Sequence, residues 1–276
     1  MKLIKKAVIT VAGKGTRIMP LTLHQPKAMV GIADRPIIHH ILDEIITADI
    51  REIIVVTGPN QPEFKKYFEF LKNGPKWRQL EIKLSLVIQP KPRGNGDAIL
   101  AAEKLVGHEP FLLCFGDDLL SSEEPTLSML VKKYKQLNAP LLTLEALPWR
   151  DISRYGVVKT GLFKNGVGEI KDVVEKPDRA NAPSNLTIVG RYVLTPDIFS
   201  LARQVAQHAP PEKEVYLADA LKLKLKTGGK IFGWQFHGER FDCGSKIGLL
   251  KANVHFGCRH PEYGSDFRKY LKKSNG

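Results

Sequence analysis

The stretch Val11-Ala-Gly-Lys-Gly-Thr-Arg-Ile-Met-Pro20, with Pro26-Lys27 soon after, concentrates residue types that grip polyphosphate. Gly13 and Gly15 free backbone amides, Thr16 adds a hydroxyl, Arg17 a fixed cation, and Lys27, ten residues beyond Arg17, a second cation. That set suits a triphosphate. Two better-known glycine loops fail on spacing. A Walker A loop aligned on Gly13-Lys14 requires glycine at position 8 and a hydroxyl residue at 15, where the chain has Val8 and Gly15. A dinucleotide fingerprint starting at Gly13 and Gly15 requires a small residue at 18, yet Ile18 stands there and Pro20 follows.

The elements that must hold this loop are legible as hydrophobic period and punctuation. The apolar run Ala7, Val8, Ile9, Val11 predicts a buried strand over 4–11. Helix 36–48, strand 52–57, helix 61–72, strand 82–88, helix 95–105, strand 110–116 and a helix near 125–138 follow. This alternation means α/β, a mostly parallel sheet with helices on both faces, because strands such as Ile53-Ile-Val-Val-Thr57 are continuously apolar. The second half mixes strands near 140–147, 156–160, 168–175, 188–194 and 231–236 with helices near 216–226, 246–257 and 262–272. In such sheets ligands gather at the carboxyl ends of the strands. Arg17, Gln89 and Asp117 all fall just beyond such ends, so the pattern brings them to one cleft.

Composition narrows the class. With 276 residues and 43% hydrophobic content the chain can bury a substantial core, and the punctuated stretches around 73–75 and 178–183 are short enough to be loops within one domain. Lys2, Lys5 and Lys6 precede an apolar run that Gly13, Lys14 and Arg17 break, without a signal-peptide cleavage pattern, and no window reaches a membrane-spanning length. Cys114, Cys243 and Cys258 form an odd set without C-x-x-C spacing, which argues for a reduced, cytoplasmic protein and a core role for Cys114. His39 and His40 are adjacent on a helix, so their rings diverge and cannot form a metal pair. The net charge of +13 is scattered, with denser clusters at 222–230 and 268–273. No nucleic-acid-binding motif accompanies it; solvated lysines and steering of polyanions account for it better.

Taken together, G-x-G-T-R, a proline three residues later and P-K resemble the signature of the sugar-nucleotide pyrophosphorylases, most nearly the bacterial UTP-glucose-1-phosphate uridylyltransferase family. Similar segments recur in order: Gln89-Pro, Gly94-Asn-Gly96-Asp-Ala, Phe115-Gly-Asp117-Asp118, Tyr155-Gly-Val-Val, Val174-Glu-Lys-Pro, Ala182-Pro-Ser-Asn-Leu, Val189-Gly-Arg-Tyr-Val, Leu217-Ala-Asp-Ala and Phe241-Asp-Cys-Gly-Ser-Lys. The resemblance spans nearly the whole chain. It implies a Rossmann-like nucleotidyltransferase fold with a mixed sheet and C-terminal helices. Residues 1–276 would form one domain, with 1–140 mainly nucleotide-binding, 141–243 mainly sugar-binding and 244–276 a helical segment able to make an oligomer contact.

The implied reaction joins UTP and glucose 1-phosphate into UDP-glucose, releasing pyrophosphate. Its nucleophile, a phosphate oxygen, arrives already ionised, so no general base is required and positioning plus charge neutralisation can carry catalysis. The resemblance assigns Arg17 to the triphosphate end, Lys27 to the α-phosphate region, and Ala12, Gly13, Gly15, Thr16, Gln89 and Gly94 to the nucleotide. Asp117, behind a buried strand and a glycine, and Asp242 would share Mg²⁺, with Asp118 left between metal, sugar and solvent. Glu175 would accept from hexose hydroxyls and Lys176 would contact the sugar-linked phosphate. Gly156 and Gly190 would let backbone approach the sugar, and Arg191 would add a phosphate contact.

The chain departs from the family at Ala28-Met-Val-Gly31, at Leu217-Ala-Asp-Ala, and in a shortened stretch between the second helix and third strand. A homo-oligomer, dimer or tetramer, is expected, with no nucleic acid or membrane partner. Three rivals remain open: a nucleotidyltransferase using dTTP or another hexose 1-phosphate, a noncatalytic sugar-nucleotide-binding regulator, and a nucleic-acid binder. Envelope polysaccharide and galactose metabolism are both compatible with the product.

Overall fold

Alternate residues of the first strand enter two different cores: Ala7 and Ile9 pack on one side and Val8 on the other. The same split runs through Ile53 and Val55 against Ile54 and Val56, and through Leu112 and Cys114 against Phe111 and Leu113. A strand buried on both faces must be apolar throughout, which is why these segments read as unbroken hydrophobic runs.

The computed structural model describes residues 2–210 and 212–274. Its first half contains strands β1 (Lys6–Thr10), β2 (Gly31–Ile32), β3 (Arg35–Pro36), β4 (Glu52–Thr57), β5 (Lys83–Ile88), β6 (Phe111–Phe115) and β7 (Asp118–Ser121). Among them lie helices α1 (Ile37–Thr47), α2 (Pro62–Asn73), α3 (Pro75–Gln79), α4 (Asn95–Val106) and α5 (Thr126–Leu137). The second half adds β8 (Leu141–Ala146), β9 (Gly156–Thr160), β10 (Val167–Glu175), β11 (Leu186–Leu194), β12 (Phe232–Gln235) and β13 (Glu239–Asp242). Its helices are α6 (Asp197–His208), α7 (Leu217–Lys226), α8 (Lys246–Cys258) and α9 (Gly264–Ser274).

One nine-stranded sheet runs β5-β4-β1-β6-β11-β8-β12-β10-β9. Strands β5, β4, β1 and β6 are parallel neighbours. Beyond them β11 runs antiparallel to β6 and β8, and β10 antiparallel to β12 and β9, so the sheet is mixed. Helices α1, α2, α5 and α8 cover one face, while α4, α6 and α7 cover the other. A separate pairing of β7 with β13 brings Asp118 opposite Asp242.

The long periodic elements lie within a few residues of their sequence positions. Helix α6 was not foreseen: its buried residues Ile198, Phe199, Leu201 and Ala202 crowd into its first half, so the 3.6-residue period ends before the helix does. Strands β2, β3, β7 and β13 are too short to show alternation. The stretch around 73–75 is not an open loop but an extended break at Gly74 between α2 and α3. Cys114 is fully buried, and burial pushes its thiol up to about 12, as suits a small core residue. His39 meets the Tyr67 hydroxyl at 2.6 Å and His40 the Ile32 carbonyl at 3.1 Å, both structural contacts. In the basic cluster at 222–230, Lys222 and Lys224 pair with Asp172 and Asp197. Among the described residues no helix is long and apolar enough to cross a membrane.

Candidate active site

The site begins where parallel strands end. Gly15 is left-handed at φ 66°, and a Cβ there would lie 2.8 Å from Thr22 Cγ2 and 3.1 Å from Lys27 Cβ. Glycine therefore lets the loop lie against the segment that carries Lys27. Beside it, a Cβ on Gly116 would come within 2.4 Å of Val11 Cγ1, so only glycine allows the exits of β6 and β1 to touch. Asp117 is thereby aimed at the loop, and its Oδ2 accepts from Lys27 Nζ at 2.5 Å. Burial raises the Asp117 carboxyl, but the Lys27 ammonium and its hydrogen bond, together with the Arg240 and Arg17 guanidiniums, outweigh burial and hold it below the usual carboxylate range.

Beyond β5, Gln89 is only 2% exposed and its Nε2 donates to Asp97 Oδ2 at 2.8 Å and to the Gly94 carbonyl at 3.3 Å. Gly94 has φ 105°, and a Cβ there would lie 2.6 Å from the Val215 carbonyl oxygen. The Val215 N–H donates to Arg93 O at 2.6 Å and its carbonyl accepts from Gly96 N–H at 2.8 Å. The segment before α7 thus lies directly on the Gly94 loop, adding Glu214 and Tyr216 to the wall. Together these groups enclose a cavity of about 500 Å³ lined by Ala12, Gly13, Gly15, Thr16, Arg17, Lys27, Gln89, Gly94, Asp117 and Lys176.

A second cavity of about 150 Å³ adjoins the first, sharing Arg17, Asn95, Phe115, Asp117 and Lys176 with it. Gly156 at the start of β9 pairs with Glu175 at the end of β10, and a Cβ on Gly156 would lie 3.1 Å from Glu175 Oε2. Burial pushes the Glu175 carboxyl up, and neighbouring Lys176 opposes this only in part. Lys176 has φ 45°, a left-handed conformation that costs a non-glycine residue, and its N–H donates to the Tyr155 carbonyl at 3.1 Å. Asp242 completes the wall: its Oδ2 accepts from Arg154 Nη2 at 2.7 Å and the Tyr155 hydroxyl at 3.1 Å, with Arg17 Nη1 at 3.6 Å.

Asp117 and Asp242 face the same small space. A Cβ on Gly244 would lie 2.5 Å from Arg17 Nη2, 2.8 Å from Asp242 Oδ1 and 3.2 Å from Asp117 Oδ2, so the missing side chain leaves room for the Arg17 guanidinium beside the two carboxylates. Among the described residues no group of three or more His, Cys, Asp or Glu converges on one point. Two carboxylates with phosphate and water as remaining ligands would suit a divalent cation that seldom uses an all-protein cage.

Two residues expected at the sugar lie away from both cavities. Arg191 is fully buried; its Nε and Nη2 reach Glu44 Oε2 at 3.0 and 2.8 Å, and Nη2 also donates to the Asp118 carbonyl at 2.8 Å. Gly190 lines neither cavity: its N–H donates to Asp118 Oδ2 at 3.0 Å, and a Cβ would lie 2.7 Å from Phe115 Cβ. The cause is topological, because β11 lies beside β6 in the middle of the sheet, with Arg191 opposite Cys114. Asp118 does not face solvent: it is 3% exposed and takes a bidentate pair from Arg240 at 2.9 and 3.0 Å. The departing residues Ala28 and Ala218 line the first and second cavities and displace no charged group assigned to them.

Sequence reasoning missed Asp97, which orients Gln89, the pair Arg154 and Tyr155 on Asp242, the buried Arg240, and Tyr216. Each stands inside or next to a segment named above, which was the available signal; apart from Asp97, eight residues from Gln89, the partner each meets lies far away in the chain.

A glycine loop at the end of a parallel strand, two carboxylates and a ring of cations define a nucleotide-dependent phosphoryl-transfer site. A family model described as nucleotidyl transferase matches residues 6–257. The chain is 34% identical to a UTP-glucose-1-phosphate uridylyltransferase of Staphylococcus epidermidis, with 99% of each chain covered. Among solved structures it is similar to a UDP-glucose pyrophosphorylase complexed with UDP-glucose, at TM-score 0.85 and 35% identity over 94% of this chain and 100% of that one. A UTP-bound enzyme of the same kind from Acinetobacter baumannii matches at TM-score 0.83 and 34% identity, over 98% of this chain and 99% of that one. The chain belongs to the UTP-glucose-1-phosphate uridylyltransferase family.

Proposed function

We propose that the protein transfers the uridylyl group of UTP to α-D-glucose 1-phosphate, giving UDP-glucose and pyrophosphate. The observation that carries this reading is the junction of the two cavities, where Arg17, Asp117 and Lys176 belong to both walls. A nucleotide in the larger and a sugar phosphate in the smaller would meet at those three groups.

An oxygen of the sugar phosphate forms a bond to the α-phosphorus while the bond to the bridging oxygen of pyrophosphate breaks in line. Arg17 and the loop amides hold the triphosphate, and Lys27 neutralises charge near the α-phosphate. Gln89, its amide fixed by Asp97, and the Gly94 loop hold the pyrimidine edge. Glu175 accepts from hexose hydroxyls, Gly156 gives the sugar room, and Lys176 holds the sugar-linked phosphate. Asp117 and Asp242 would hold Mg²⁺, which when bound supplies further positive charge to the phosphates.

Residues 1–276 are read as one domain because a single sheet includes strands of both the nucleotide part, 1–140, and the sugar part, 141–243. The helical segment 244–276 is the proposed homo-oligomer contact. Its helix α8 buries Leu249 and Ala252 yet leaves Ile247 at 60% and Leu250 at 64% exposure, and light scattering of the purified protein tests the assembly. A cytoplasmic location follows from substrates that are cytoplasmic metabolites.

Pyrophosphate release measured with UTP or dTTP against the 1-phosphates of glucose, galactose and N-acetylglucosamine tests the reaction. UTP with glucose 1-phosphate is expected to give the highest kcat/KM, and no release from that pair would refute the proposal.

A further inference from the structure

Lys176 stands at the junction of the two cavities, where its ammonium has to be held over a phosphate. Its backbone is fixed, but its side chain is 47% exposed and lies 3.6 Å from Glu175 Oε1. A lysine stem is flexible, and an ammonium drawn to Glu175 would compete with the sugar for that carboxylate. The ring of Tyr216 offers the ammonium a second partner that restrains the stem. Lys176 Nζ lies over its face, 4.6 Å from the centroid, within the range of a cation–π attraction. Burial, followed by a hydrogen bond with Glu214, pushes the phenol up to about 12 and keeps it neutral, so the attraction comes from the ring face.

Tyr216 is itself anchored. The next residue, Leu217, donates its N–H to Asn95 Oδ1 at 2.8 Å, and a Cβ on Gly96 would lie 2.8 Å from the Tyr216 carbonyl carbon. The ring is therefore attached to the loop expected to hold the nucleotide base.

We propose that Tyr216 is a positioning residue: its ring holds the Lys176 ammonium at the cavity junction and ties the sugar-phosphate lysine to the nucleotide loop. This inference rests on the uridylyl-transfer reading above.

The test is a double-mutant cycle of Tyr216→Leu and Lys176→Ala, with Tyr216→Phe as the ring-retaining control and Tyr216→Met in reserve should leucine disturb folding. Thermal unfolding establishes that each variant is folded. Tyr216→Leu should lower kcat/KM for glucose 1-phosphate about fivefold, with less effect on the KM for UTP, and Tyr216→Phe should recover most of that loss. In the Lys176→Ala background, Tyr216→Leu should have no further effect. UDP-glucose affinity by titration calorimetry provides the same cycle without turnover. Additive losses, a phenylalanine variant as weak as leucine, or a leucine variant equal to wild type would overturn the inference. A wild-type protein inactive on UTP and glucose 1-phosphate would instead overturn the reading beneath it.

Discussion

Lys27 and Asp117, 90 positions apart, meet at 2.5 Å across the exits of two neighbouring parallel strands. The lysine helps hold the carboxylate's charge, so cation and acid stand together in the wall of the cavity of about 500 Å³.

Replacing Lys27 with alanine should lower kcat on the order of a hundredfold, because a preorganised cation is removed from the site of developing charge. It should also change acid stability. The folded Asp117 carboxyl titrates below its ordinary 3.8, so its contribution is present above that value and lost as pH falls through the lower folded one. Denaturant unfolding should show the gap between wild type and Lys27→Ala narrowing as pH falls below 3.8.

Arg191 predicts the opposite division between activity and stability. Its guanidinium is fully buried against Glu44, so Arg191→Met should destabilise the fold by about 3–5 kcal/mol, since the partner carboxylate is left uncompensated. At a temperature where the variant stays folded, its KM for glucose 1-phosphate should equal that of wild type. A raised KM with unchanged stability would return Arg191 to the sugar site.

Glu175 should trade stability for function. Burial raises its folded pKa above the ordinary 4.5, so the folded state is penalised once the group ionises. That penalty is absent below 4.5 and complete above the folded pKa. Glu175→Gln should therefore melt higher than wild type at neutral pH, with the difference vanishing below pH 4.5, while losing glucose 1-phosphate turnover. Melting curves across pH check the first part and steady-state kinetics the second.

Gly156→Ala places a methyl 3.1 Å from Glu175 Oε2 and 3.2 Å from Ile188 Cδ1, tighter than ordinary packing. The carboxylate must shift, so KM for the sugar phosphate should rise severalfold while KM for UTP holds. Equal changes in both would mean that the glycine serves the sheet rather than the sugar.

The parallel half of the sheet was legible because its inner strands β4, β1 and β6 are apolar on two faces and each glycine loop is local in the chain. Gly13 to Arg17, Lys27, Gln89 and Asp117 needed only their spacing and a strand end to be placed together. Arg191 was misread because a polar residue beside a motif glycine looks the same whether its strand lies at the cleft or inside the sheet; only the pairing of β11 with β6 decides. Asp118 was ambiguous for a related reason, since its partner Arg240 is 122 positions away. Tyr216 and Arg154 act on Lys176 and Asp242 through space, and no periodicity encodes such a meeting.

The pairing of β7 with β13 also sets when the site can exist. Asp242 is held opposite Asp118, and the Cys243 N–H donates to the Asp117 carbonyl at 2.8 Å, so the last acid is laced to the first. A chain emerging from the ribosome carries its glycine loop, Lys27 and Asp117 long before Asp242 leaves the exit tunnel. Until then the second cavity lacks the carboxylate that Arg154 and Tyr155 meet.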